Sequence, residues 1–163
     1  DVYKRQKKAW PYIIFFIIFL FGITGCEARL DYDSVRVNKI IDGDTIEIET
    51  GQHVRYLGID TPETRRRVNE KWIYDPQPFA EEAKELNRRL VEGKKVRLEF
   101  DVQRYDKYNR LLAYCFVEET FVNAKIIEEG LASLFIIPPN LKYAEILKEA
   151  QEKAKREGRG IWQ

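Results

Sequence analysis

Methionine is absent from the 163 residues, histidine occurs once and cysteine twice. Without a methionine, Asp1 is not an initiator, and residues 1–6 are expected to be a foreign or truncated leader with no bearing on the fold. The one histidine, His53, stands in a strand-like run beside a turn with no partner motif, which reads as a structural role. Nine glycines and six prolines are a modest share, and no repeat or low-complexity tract stands out, which excludes a disordered or fibrous chain. Plentiful aromatic and β-branched residues point instead to one globular unit, because this length supports a single core and is short for two.

Also missing at the N-terminus is a run long enough to span a bilayer. Ala9 to Thr24 is apolar, but its 16 residues fall short of the roughly 20 that a spanning helix needs. Lys4, Arg5, Lys7 and Lys8 precede it and Gly25-Cys26 ends it, the order of an export signal over residues 1–25. Ile23-Thr24-Gly25-Cys26 resembles a bacterial lipobox, with isoleucine where leucine is usual, which implies lipid on Cys26. The alternative is an uncleaved membrane anchor. Either places the rest outside the cytoplasm, with residues 26–33 as a tether and 34–163 as the folded domain. Cys115 is then the only thiol, so no intrachain disulfide framework is available, and its apolar setting reads as a buried strand.

A surplus of positive charge is lacking too. With Asp1, Lys4, Arg5, Lys7 and Lys8 set aside, the 28 basic and 27 acidic residues become 24 and 26. A protein that holds nucleic acid by neutralising many phosphates carries a positive excess. Any such contact here must be focused by a bound cation and a few placed Arg and Lys.

What is present is a β-rich first half. Val35 to Ile41, Thr45 to Glu49 and His53 to Ile59 are separated by Asp42-Gly43-Asp44 and Thr50-Gly51-Gln52, which is turn chemistry and predicts a meander. Phe79 to Val91 shifts to helical period and ends at Gly93. Val96 to Phe100 and Leu111 to Val117 read as strands, Phe121 to Glu129 and Tyr143 to Arg156 as helices, with the stripe Val122, Ile126, Ile127 and Leu131 in the core. Trp162 is expected to anchor the last helix. The fold class is therefore α+β, mainly β: a five-stranded OB-fold barrel with about three helices packed against it.

Within these strands, Ile41-Asp42-Gly43-Asp44-Thr45 and Arg55 to Glu63 bring four carboxylates and an arginine close in sequence. A hard cation such as Ca²⁺ needs oxygen ligands, a nearby carboxylate can activate water, and a guanidinium offsets charge on a phosphate under attack. That composition suits metal-assisted phosphodiester chemistry, and Arg110 could complete it. An EF-hand loop is excluded, because no closing Glu follows at the required offset. Arg55 and Asp60 are five apart, so a regular strand would point them to opposite faces and a bend at Gly58 is required. Arg65, Arg66 and Arg67 open a loop that runs to Pro78 past Trp72 and Tyr74, either a clamp on a substrate strand or a solvated face.

These motifs, together with Asp106-Lys107-Tyr108-Asn109-Arg110 and Gly130-Leu131-Ala132, make Ser34 to Trp162 resemble a staphylococcal-nuclease-like (thermonuclease) domain. The resemblance implies a Ca²⁺-dependent endonuclease acting on DNA and RNA. It implies that Asp44, Asp60 and the carbonyl of Thr61 bind Ca²⁺, that Glu63 is the general base, and that Arg55 and Arg110 contact the phosphate. Lys107 and Tyr108 would hold a terminal phosphate, with water attacking in line and 3′-phosphate ends left behind. Asp42 would stay in the turn or accept a hydrogen bond behind the ligands. Asn109 stands where glycine is common and tolerates the left-handed turn. Leu134 to Pro139 departs from the family's tyrosines, so Phe135 either replaces a base-packing ring or belongs to the core. DNA and RNA are the expected partners, with the membrane reached through Cys26 or the apolar segment, and a monomer is expected. The rival is an inactive OB module at the cell surface, which would have lost some of the acidic and arginine positions present here.

Overall fold

The spacing of apolar residues in the first strand contains the device that curls the sheet. Val35 and Val37 are two apart, Val37 and Ile40 three, yet all three are buried. That requires an irregularity in β1 (Val35–Asp42), and its pairing with β2 (Thr45–Ile48) shifts between Val37 and Lys39. A bulge bends the strand and increases its twist. In this computed structural model, which describes residues 31–163, the bulge feeds a closed barrel. The predicted export segment 1–25 and the lipid acceptor Cys26 lie outside the described residues.

β3 (His53–Tyr56) continues the meander, and β4 (Gly58–Asp60) follows it. β5 (Arg65–Val68) and β6 (Lys71–Tyr74) form a separate hairpin. Then come α1 (Ala80–Val91), β7 (Lys95–Glu99), β8 (Leu111–Val117), the short β9 (Thr120–Phe121), α2 (Val122–Glu128), β10 (Ser133–Phe135) and α3 (Ala144–Arg156). The order β3-β2-β1-β7-β8 is antiparallel throughout, and a parallel pairing of β3 with β8 closes the ring. This is the expected five-stranded OB-type barrel with three helices. Its interior holds Ile46, Ile48, Val54, Tyr56, Leu98, Leu111 and Ala113, with Cys115 buried as predicted and its thiol pushed up to about 12 by burial.

Two glycines position the site. Gly58 has φ +79, and a Cβ there would collide with Leu147 of α3. The strand breaks at Leu57 and restarts at Gly58, the bend that Arg55 and Asp60 require. Gly58→Ala is expected to cost about 2 kcal/mol or more from the left-handed backbone and the clash together, read as a lowered urea midpoint. Gly43 has no unusual φ; its role is close approach, because a Cβ would stand 2.8 Å from Ala83 Cβ and Thr61 Oγ1. Asn87 of α1 pins the same turn, donating to the Asp42 carbonyl at 3.1 Å while accepting from Tyr56 at 3.0 Å.

One expectation is corrected. Residues 65–74 are not a loop but the antiparallel hairpin β5–β6, turned at Asn69 and Glu70, both with positive φ. Arginine, tryptophan and tyrosine suit a two-sided exposed ribbon, and a two-residue turn with φ > 0 matches strand twist even without glycine.

Candidate active site

Asp44 leaves the β1–β2 turn and is buried. Its Oδ2 accepts from the Thr61 backbone N–H at 3.0 Å and its Oδ1 from Thr45 Oγ1 at 3.0 Å. Arg55 of β3 lies between two carboxylates: Nη1 meets Asp44 Oδ2, and Nη2 reaches Asp60 Oδ1 at 2.7 Å. The bend at Gly58 thus puts Arg55 and Asp60 on one side, as the spacing demanded. Nη1 has charge contact with Asp44 but no aligned hydrogen bond, so that pairing is electrostatic rather than geometrically locked. Burial raises the Asp60 carboxyl, with Asp44 adding to it, while Arg55 opposes the shift.

Glu63 follows Pro62, but proline is not its only restraint. Gln77 clasps it, accepting from the Glu63 N–H at 2.9 Å and donating its own N–H to the Glu63 carbonyl at 3.0 Å, which ties off the base of the hairpin. Partial burial, then the charges of Asp42 and Asp44 and a hydrogen bond shared with Asp42, push the Glu63 carboxyl up to about 7. Asp42 is raised too, chiefly by burial. Asp42 therefore does more than shape a turn: its carboxylate touches the candidate base. It also accepts from the Gly43 N–H at 3.1 Å and from Thr64 Oγ1 at 3.4 Å.

Arg110 arrives from the turn before β8. Asp106 organises that turn, accepting from the N–H groups of Tyr108 at 2.8 Å and Arg110 at 3.0 Å, and from Arg110 Nε at 2.7 Å. Burial raises the Asp106 carboxyl, but these bonds outweigh it and hold it below the usual range. Asn109 takes φ +62, the left-handed turn expected of it. Tyr108 is exposed, with Lys107 Nζ at 5.0 Å and Arg110 Cζ at 5.5 Å from its ring centre.

Asp42, Asp44, Arg55, Asp60, Glu63 and Arg110 all line one open cleft of about 540 Å³. Thr61 is buried and tied through its N–H to Asp44 of the cleft, while Lys107 lines an adjoining pocket of about 460 Å³ with Arg55 and Arg110. Phe135 and Ile137 supply apolar wall to that second pocket, and Phe135 is half exposed rather than a core residue. Sequence reasoning passed over Gln77, Lys39 and Lys84; only the cleft relates the two lysines to the acidic cluster. His53 is exposed and lines the cleft, 3.6 Å from Glu47, where its strand position alone suggested a structural residue.

The site thus belongs to a small β-barrel protein of OB type that gathers carboxylates and guanidinium groups in one polar cleft. The family model described as staphylococcal nuclease homologue matches residues 53–163. A thermonuclease of Staphylococcus hyicus is 38% identical over 130 residues, covering 78% of this chain and 74% of that protein. A thermonuclease of Staphylococcus intermedius is 36% identical over 134 residues, covering 80% and 77%. The SPbeta prophage-derived endonuclease YokF of Bacillus subtilis is 40% identical over 133 residues, covering 78% of this chain but 43% of its own length. The chain belongs to the staphylococcal nuclease family.

Proposed function

We propose that the chain is an exported, Ca²⁺-dependent nuclease that hydrolyses phosphodiester bonds of DNA and RNA and leaves 3′-phosphate ends. The observation that carries this reading is the convergence of Asp44, Asp60, Glu63, Arg55 and Arg110 on one cleft. The donor set fits Ca²⁺: two carboxylates bridged by adjacent nitrogens of one guanidinium are spaced for a shared cation, and the Thr61 carbonyl follows Asp60 directly. Among the described residues no group of three or more His, Cys, Asp or Glu could hold a metal, so water must complete the shell, which Ca²⁺ tolerates. When bound, Ca²⁺ supplies positive charge beside the phosphate and makes a neighbouring water more acidic.

Asp44 and Asp60 would hold that cation together with the Thr61 carbonyl. Glu63 accepts the proton of the attacking water as the new O–P bond forms. Arg55 and Arg110 fork onto phosphate oxygens and offset the charge of the five-coordinate transition state. The P–O5′ bond breaks, and the leaving 5′-oxygen takes a proton from solvent water to become the 5′-hydroxyl. Lys107 and Tyr108 hold a terminal phosphate, with Phe135 and Ile137 offering apolar surface to a base. Contacts to phosphate rather than base edges give little sequence discrimination.

Export and anchoring rest on residues 1–25 and Cys26; among the described residues no helix is long and apolar enough to cross a membrane. Single-stranded DNA incubated with the chain is expected to be cut with Ca²⁺ present and left whole with a chelator, and mass spectrometry should find 3′-phosphate on the products. Cleavage undiminished by the chelator, or 5′-phosphate ends, would overturn the proposal.

A further inference from the structure

The β5–β6 hairpin is two-faced. Cross-strand pairing sets Arg65 opposite Tyr74 and Arg67 opposite Trp72, so these four share one face, while Arg66 and Ile73 share the other. The faces differ in charge state. Arg66 is held by Asp75 at 2.7 Å, whereas among the described residues neither Arg65 nor Arg67 has an acidic group within 4.0 Å. Tyr74 donates to Glu81 of α1 at 3.1 Å, and Trp72 remains two-thirds exposed. Arg65 and Trp72 also line the cleft that contains Arg55, Glu63 and Arg110. This face is therefore continuous with the site and carries arginines that form no ion pair among the described residues, beside an uncovered indole ring.

We propose that the Arg65, Arg67 and Trp72 face of the hairpin clamps the substrate strand beyond the cleft, the arginines taking phosphates and Trp72 stacking an unstacked base. The proposal rests on the nuclease reading above for the identity of the strand. Residues two apart on a strand lie about 7 Å apart, the scale of one nucleotide step, and alternating cations and rings match alternating phosphates and bases. A near-neutral chain needs such a local grip, because its overall field does not hold nucleic acid. Lys39 and Lys84, which line the same cleft without an ion pair among the described residues, add positive charge to it.

The test is binding of a fluorescent 12-nucleotide single strand, followed by anisotropy in chelator so that no cleavage occurs. Trp72→Ala is expected to weaken binding about tenfold or more, the scale of one base–aromatic stack. Arg65→Gln with Arg67→Gln is expected to flatten the slope of log affinity against log salt by about 1.4, at about 0.7 per phosphate contact on single strands. Arg66→Gln, on the opposite face, is expected to bind like the parent. The altered side chains are solvent-exposed, and unchanged circular dichroism checks the fold. Equal affinity of parent and Trp72→Ala, no binding by the parent at low salt, or a concentration-dependent dimer lost in Trp72→Ala would each overturn the clamp. A parent that fails to cleave with Ca²⁺ while the affinity differences stand would overturn the nuclease reading alone.

Discussion

Glu63→Gln is expected to lower turnover by about 10²–10⁴-fold, the usual contribution of a placed general base, with KM for single-stranded DNA little changed. Glutamine keeps the size of the side chain and the Gln77 clasp, which uses only backbone atoms of residue 63. It cannot accept the proton of water. The same substitution tests the electrostatics. In the metal-free protein the Glu63 carboxyl titrates near 7, raised by burial, by Asp42 and Asp44, and by the hydrogen bond with Asp42. The folded chain then holds a proton between about 4.5 and 7 that the unfolded chain has released, so this group's stabilisation is complete below about 4.5 and is lost as pH rises through 7. The carboxyl faces an open cleft and water screens part of the effect, so a modest drop in urea midpoint over that window is expected in the parent and a smaller one in Glu63→Gln. Unchanged turnover in the mutant would remove Glu63 from the chemistry. An unchanged pH slope would remove it from the carboxylate pair.

Arg55→Gln is expected to cost about 10²–10³-fold in turnover, the scale for losing one preorganised donor to transition-state charge. Its second effect separates it from a general loss of fold. Arg55 is the cation between Asp44 and Asp60, and Asp44 is nearly buried, with 7% of its side chain exposed. Without the guanidinium, the metal-free protein is expected to lose about 1–3 kcal/mol, because a buried carboxylate keeps its hydrogen bonds from Thr61 and Thr45 but loses its counter-charge. If the two aspartates take Ca²⁺ as proposed, the ion restores that charge. Ca²⁺ should then raise the thermal midpoint more in Arg55→Gln than in the parent. Equal Ca²⁺ shifts in the two proteins would mean that Arg55 does not neutralise the cation site.

Much of this site was legible because its signals are local. Asp44 in a turn, Glu63 after proline and Asn109 in a left-handed turn are each specified by a few adjacent residues. The parity of Arg55 and Asp60 even predicts the bend at Gly58, since two side chains five apart on a strand cannot otherwise share a face. The hairpin at residues 65–74 was less legible, because its strands are four residues long, exposed on both faces and turned without glycine. Gln77 was not legible at all: it lies 14 residues from Glu63, and nothing in its surroundings marks a clasp. Asp42 shows the same limit, its turn role being readable and its contact with Glu63 not.

The sequence by itself determined the main barrel strands, the reversals between β1, β2 and β3, the three helices and the chemical inventory of carboxylates and arginines. These follow from period, turn preference and composition, which act over a few residues. The tertiary structure alone decided which of those groups meet. The parallel pairing of Val54 with Leu111 and Tyr56 with Ala113 closes the barrel and brings Arg110, one residue before β8, to the cleft that Arg55 lines. That contact joins segments more than fifty residues apart, and it forms because burying both strands in one core outweighs the modest, slowly growing entropy of closing so long a loop.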